Sequence, residues 1–126
     1  MKTDAVYARQ SVEKKDSLSI AGQIDLCHRT ADGGELRVYK DAGYSGKNTE
    51  RPAFQQLMKD IRADRIGTLY VYRLDRFSRS VADFGQLWEV LQEHHVEFVS
   101  VNENFDTKTP MGRAMLHIIM VFAQLE

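Results

Sequence analysis

Several things are scarce in this sequence, and each shortage closes off a class of function. The one cysteine, Cys27, excludes an internal disulfide and any multi-cysteine zinc site. A reducing, cytoplasmic home is then the default. No run of about 18 apolar residues occurs, so no segment reads as a membrane span. The opening MKTDAVYARQ has no apolar stretch of the kind a secretory signal needs. Only two prolines are present, Pro52 and Pro110, and each stands where a helix is expected to begin. Excess charge is missing too: 17 Lys and Arg stand against 18 Asp and Glu, a net charge of −1. A free-standing DNA-binding domain is usually strongly basic. If this chain acts on DNA, most of the affinity is expected from residues outside it.

What is present is an ordinary globular mixture, 43% hydrophobic and 28% charged over 126 residues, which suits one domain. Strand and helix patterns alternate along it. Asp4–Gln10 reads as a strand. Ser17 or Ser19 can cap a helix running to about Ala31, and Gly33-Gly34 ends it. Leu36–Lys40 reads as a second strand, followed by a loop over Asp41–Arg51. From Pro52 a helix follows in which Phe54, Leu57, Met58 and Ile61 form one apolar face. Thr68–Tyr72 is a third strand. Ser80 can cap a helix with Phe84, Leu87, Trp88 and Leu91 as its stripe. Val96–Val101 is a fourth strand, and Thr109-Pro110 opens a last helix. This alternation predicts an α/β domain with a mainly parallel sheet. Such sheets bind ligands at the carboxyl ends of their strands. The unusual polar residues gather there: Arg9 and Ser11, Asp41 to Arg51, Arg73 to Ser80, and Asn102 to Thr107.

Two of these groups suggest phosphate chemistry. In a strand, Tyr7, Arg9 and Ser11 point to the same face. A guanidinium beside a hydroxyl suits attack on a phosphate: the cation binds phosphate oxygens while the nucleophile approaches. The plainer reading is an edge strand with a solvated face. Arg73-Leu74-Asp75-Arg76-Phe77-Ser78-Arg79-Ser80 places three arginines at steps of three beyond a strand. If the segment is helical, Arg76 and Arg79 share a face. Clustered arginines fit phosphate oxygens and the charge that builds on them in phosphoryl transfer. The plainer reading is a salt-bridged surface loop, although Asp75 alone does not neutralise three arginines. Gly43-Tyr44-Ser45-Gly46-Lys47-Asn48-Thr49 lacks the spacing of a phosphate-binding P-loop and reads as a flexible loop, with Arg51 at its end free to reach the site. His28, His94, His95 and His117 lie in or beside predicted helices, so a Ser-His-Asp triad is poorly supported. Asp41, Asp75, Glu103 and Asp106 could hold Mg²⁺, but the neighbouring arginines oppose a dication. The last helix, from Met111, is apolar almost all round, more than one sheet face can cover. It has no stop signal before Glu126, so the chain reads as part of something longer.

Taken together, these blocks resemble the serine recombinases, the resolvase and invertase superfamily. Tyr7-Ala8-Arg9-Gln10-Ser11 resembles the family's YxRxS opening, and Leu74 to Ser80 its LDRxxRS block. Asp41-Ala42-Gly43-Tyr44-Ser45-Gly46, with Arg51-Pro52, resembles DxGxSG…RP. Phe105-Asp106-Thr107, Pro110 to Arg113 and Phe122 to Glu126 are similar to the closing region. The match runs from about Val6 to Glu126, and Ser17–Gln23 and the FDT…PMGR block look more like the large subgroup of phage integrases and mobile-element transposases.

The resemblance implies a resolvase-like, three-layer α/β domain with a mainly parallel central sheet of four or five strands, ending in the start of a long helix. It implies that residues 1–126 are the N-terminal catalytic domain, with DNA-binding domains elsewhere in the protein. It implies site-specific DNA recombination, in which Ser11 attacks a phosphodiester to form a 5′-phosphoserine. Arg9, Arg76 and Arg79 would bind the scissile phosphate, with Arg51 assisting, and Asp75 would orient them or shuttle a proton. Tyr7, Gln23, Asp41 and Glu126 would support the site. No ATP, metal or other cofactor is implied. The implied partners are double-stranded DNA and further copies of the protein, a homodimer pairing into a synaptic homotetramer. In place of Glu126 and its following arginine, the family's closing pair, this chain has the glutamate alone. Two competing readings are a non-catalytic α/β module with an anion-binding surface and a metal-dependent nuclease.

Overall fold

The computed structural model describes residues 2–10, 19–31, 35–42, 51–78, 81–102 and 105–125. Strand β1, Thr3–Gln10, is followed by helix α1, Ile20–Thr30, and strand β2, Leu36–Ala42. Of the two serines that could start α1, Ser19 is its N-cap and accepts the N–H of Gly22 at 3.1 Å. Helix α2, Pro52–Arg62, has Pro52 at its first position and buries Leu57, Met58 and Ile61. Strand β3, Ile66–Val71, leads into a single helical turn, α3, Leu74–Phe77. Helix α4, Val81–Glu93, precedes strand β4, Glu97–Ser100, the two-residue strand β5, Phe105–Asp106, and helix α5, Pro110–Leu125. The sequence reading gives no element to the segment carrying β5, because two residues show no periodicity. The Ser80 expected to cap α4 lies outside the described residues.

The sheet order is β2-β1-β3-β4-β5, with the first four strands parallel and β5 antiparallel to β4. The chain steps from β1 outward to β2 and then returns across β1 to β3. Helix α1 therefore lies on one face and α2 on the other, and the crevice where connections part lies beyond the carboxyl ends of β1 and β3. On the α1 face, Val6, Cys27, Leu36, Tyr70 and Val99 form a small core. On the opposite face Ala5, Tyr7, Leu57, Ile61, Leu69, Phe77, Phe84, Trp88, Leu91, Phe98 and Leu116 form the main one. This is the three-layer architecture expected. Strand β1 lies between β2 and β3 with Ala5 to Ala8 fully buried, so the edge-strand reading of the Tyr7 segment is wrong.

Helix α5 starts as its sequence suggests: Thr109 Oγ1 accepts the N–H of Gly112 at 3.0 Å. A Cβ on Gly112 would lie 1.7 Å from the carbonyl oxygen of Asp106, so only glycine lets this first turn sit against β5. The helix is anchored by buried Leu116 with Met115 and Ile119 half-buried beside it. Its opposite side carries Met111, Ile118 and Val121 at 73%, 57% and 57% exposure. The surplus apolar face expected of this helix is therefore present.

Candidate active site

The site grows from the way α2 begins. Pro52 has no N–H to offer, and Arg51, the N-cap residue, makes no side-chain cap bond. The next two donors are satisfied from another element: the N–H groups of Ala53 and Phe54 donate to Oδ1 and Oδ2 of Asp41, each at 3.0 Å. Asp41 stands near the end of β2 and is buried. A carboxylate at a helix N-terminus also meets the positive end of the helix dipole. Its Oδ2 further accepts the Tyr7 hydroxyl at 2.8 Å. Asp41, weighed as a metal ligand from the sequence, thus spends its oxygens on three protein donors.

Tyr7 is fully buried in β1. Burial drives its hydroxyl well above the usual tyrosine range, an effect that the nearby Arg51 charge opposes and the hydrogen bond to Asp41 reinforces. A buried hydroxyl that stays protonated and donates to Asp41 is a positioning group, not a nucleophile.

Arg51 is only 7% exposed, which corrects the picture of an arginine at liberty on the end of a flexible loop. Its NH1 donates to the carbonyl oxygen of Phe77 at 3.2 Å. Its guanidinium carbon lies 3.8 Å from the centroid of the Phe54 ring and 6.0 Å from that of Tyr7. The rings also meet one another: Phe54 packs edge-on to Tyr7 at 5.7 Å and tilted against Phe77 at 5.5 Å. A cation over a desolvated aromatic face is held by about 2 kcal/mol.

Phe77 closes α3, the turn that carries the arginine-rich segment. Arg76, Phe77 and Ser78 are all buried, so this part of the segment is not the surface loop of the plainer reading. Ser78 is extended, with φ −127° and ψ 160°, so the helix ends before residue 79. The helical turn that carries Arg76 thus ends at Phe77, and the face Arg76 was expected to share with Arg79 concerns a residue outside the described ones. Arg73 is exposed.

On the other face, Gln23 of α1 is fully buried and clasps the backbone of Arg9. Its Nε2 donates to the Arg9 carbonyl at 3.0 Å and its Oε1 accepts the Arg9 N–H at 3.3 Å. The last β1 pair with β3 is Tyr7 with Val71. Gln23 does for Arg9 what the peptide of a neighbouring strand would, and so fixes β1 where it enters the crevice.

The structure thus brings together Tyr7, Asp41 and Arg51, sets Arg76 in the adjoining turn, and holds Arg9 through Gln23. Ser11, Arg79 and Glu126 lie outside the described residues, as does the Asp75 side chain. Sequence reasoning passed over Phe54 and the Phe77 carbonyl. Phe54 carried a signal, lying three residues after an arginine at a helix start, but its place in the apolar stripe of α2 concealed it. Among the described residues no three His, Cys, Asp or Glu side chains form a metal-binding group, and no helix is long and apolar enough to cross a membrane.

The fold and this crevice define a resolvase-type catalytic domain. The family described as Resolvase, N terminal domain, matches residues 5–126, and the chain belongs to it, among the serine recombinases. The N-terminal catalytic domain of TP901-1 integrase superposes with a TM-score of 0.86 at 38% identity, over 98% of this chain and 96% of that one. A DNA-invertase of Enterobacteria phage P7 is 38% identical over 94 residues, 75% of this chain and 48% of the invertase. The transposon Tn917 resolvase of Enterococcus faecalis is 31% identical over 121 residues, 95% of this chain and 60% of the resolvase. The chain thus spans about half the length of the curated relatives it matches.

Proposed function

We propose that this domain catalyses DNA strand cleavage and rejoining in site-specific recombination, working in the cytoplasm. The hydroxyl of Ser11 attacks a DNA phosphorus. The bond to the 3′ oxygen breaks, the departing 3′ oxygen takes up a proton, and the phosphate stays on serine as a 5′-phosphoserine. Rejoining reverses the step: a 3′ hydroxyl attacks the phosphoserine and the serine leaves. The bond energy is kept in the covalent link, so no ATP is needed. Arg9, Arg51, Arg76 and Arg79 hold the phosphate oxygens where charge develops. Asp75 orients these arginines or carries the proton. Tyr7, Gln23, Asp41 and Glu126 support them.

The observation that carries this reading is the Tyr7–Asp41–Arg51 assembly at the carboxyl ends of β1 and β2. It immobilises an arginine beside the strand that leads to Ser11. The 38% identity to an integrase catalytic domain over nearly the whole chain favours the large, integrase-like subgroup. The partners are double-stranded DNA and further copies of the protein, first a homodimer and then a synaptic homotetramer. Met111, Ala114, Ile118 and Val121 repeat at three and four residues along the exposed side of α5, the spacing of a helix-pairing seam.

The test uses the intact recombinase with its site DNA. A protease-sensitive covalent complex is expected with the wild type and none with Ser11→Ala. Cleavage is expected to survive a chelator. An adduct that persists in Ser11→Ala would sink the assignment of Ser11. Inhibition by a chelator that Mg²⁺ reverses would favour a metal-dependent nuclease. Sedimentation over a range of concentrations tests the seam, which Ile118→Glu should weaken without destabilising the monomer.

A further inference from the structure

We propose that Phe54 is a positioning residue for the cleavage step, holding the Arg51 guanidinium by its face so that the in-plane N–H groups stay available to the scissile phosphate. The proposal rests on the reading of Arg51 as a phosphate ligand.

An arginine is usually fixed by a carboxylate, through the same planar N–H fork that phosphate uses. Such a pair neutralises the cation and competes with the substrate. Arg51 is fixed differently. Among the described residues no carboxylate pairs with it; its only side-chain hydrogen bond there runs from NH1 to the Phe77 carbonyl, a neutral acceptor. Its nearest ring contact among the described residues is Phe54, with the guanidinium carbon 3.8 Å from the ring centroid against 6.0 Å for Tyr7. Stacking engages the face of the group, whereas all five of a guanidinium's N–H bonds lie in its plane. The arrangement therefore orients the cation without spending its charge or most of its donors.

Phe54 is itself placed with care. Its N–H donates to Asp41, its edge meets Tyr7, and its other neighbour is Phe77, whose carbonyl takes the Arg51 bond. One residue thus ties the start of α2 to β2 through its N–H and to β1 and α3 through its ring, at the point where Arg51 leaves the backbone. A leucine would fill much of the space but offers no π face.

The experiment measures single-turnover cleavage of site DNA by the intact recombinase, with site affinity measured in parallel. Phe54→Leu is expected to slow cleavage about thirtyfold, the scale of one desolvated cation–π contact, with little change in affinity. Phe54→Tyr keeps the face and should cleave within about twofold of wild type. Arg51→Lys removes the planar fork, and adding Phe54→Leu to it should cause no further loss, because the ring then has nothing to orient. A purely structural role would make the two losses multiply. Should Phe54→Leu fail to fold, Phe54→Met takes its place as a flexible apolar filler. Full-speed cleavage by the ring-less variant, multiplicative losses, or a Phe54→Tyr variant slowed tenfold would each overturn the proposal alone. An Arg51→Lys enzyme that cleaves normally would overturn the reading of the site and this proposal with it.

Discussion

Helix α2 has a buried tyrosine–aspartate pair at each end, and the two pairs are built to opposite purposes. At its start, Tyr7 donates to Asp41, and every other partner of Asp41 among the described residues is a backbone N–H. At its end, Tyr39 donates to Asp60 at 2.5 Å, and Gln56 joins from within the helix at 3.2 Å. There, however, Arg65 and Arg37 also reach in from the surface, at 3.5 and 3.8 Å. The helix dipole explains part of the difference. A carboxylate at the N-terminus is welcome, while one near the C-terminus needs cations to be tolerated. The remainder concerns use. Asp60 and its two arginines spend their charges on one another in a brace between α2 and β2. At the other end Asp41 is taken up by Tyr7 and two backbone N–H groups while Arg51 packs over Phe54, so the anion and the cation do not pair and the cation is left for a ligand.

The largest expected effect separates the two acids. Asp41→Ala leaves the Tyr7 hydroxyl and two helix donors without their partner, and should cost about 3 to 4 kcal/mol while abolishing cleavage. Asp60→Ala should cost about 2 to 3 kcal/mol, with cleavage unaffected wherever the protein is folded. Urea unfolding of the domain and cleavage by the intact enzyme measure the two columns. Equal loss of cleavage at matched stability would break the distinction.

The hydroxyls sharpen it. Tyr7→Phe and Tyr39→Phe should each cost about 1 kcal/mol of stability, the worth of one hydrogen bond. Only Tyr7→Phe should slow cleavage.

A third difference lies in alkali. Burial, with the Asp60 bond next, pushes Tyr39 up to about 12, and burial raises Tyr7 further still. A tyrosine raised in the folded state stabilises fully below its unfolded value of about 10 and loses that contribution as pH climbs toward the folded value. Stability should therefore fall above pH 10. Tyr39→Phe should remove the part of the fall that is complete near pH 12, and Tyr7→Phe the part that continues beyond it. An unchanged alkaline limb in both variants would refute the assignment.

The smallest effect comes from an exposed pair, His94 Nδ1 with Asp64 Oδ1 at 2.9 Å. That contact holds the Asp64 carboxyl below its usual range. Its contribution is present above the unfolded value and is lost as pH falls through the folded one. Asp64→Asn should slightly flatten the acid limb of stability, and by far less than either buried acid changes the whole curve. A larger shift would mean that the surface contact matters more than its exposure allows.

How far these regions could be read in advance follows from the range of the forces that make them. The sequence by itself determined the order of β1 to β4 and of the longer helices, a serine cap for α1, the Thr109 cap, Pro52 at the head of α2, the apolar stripes and the order of the motif blocks. Each is decided within a few residues, by periodicity, by a cap reaching two or three residues on, or by a fixed φ. It also located the polar residues of the site, because an α/β sheet collects them at its carboxyl ends. Only the tertiary structure decided what those residues do to one another. Asp41 caps a helix that begins eleven residues later. Arg51 points at a carbonyl 26 residues away, and Gln23 completes a strand it does not belong to. Gly112 is required by a carbonyl of β5, a strand too short to announce itself. These contacts exist because the order β2-β1-β3 brings distant turns to one crevice. Strand order is set by burying whole faces at once, and that is a property of the assembled layers that no local stretch of chain carries.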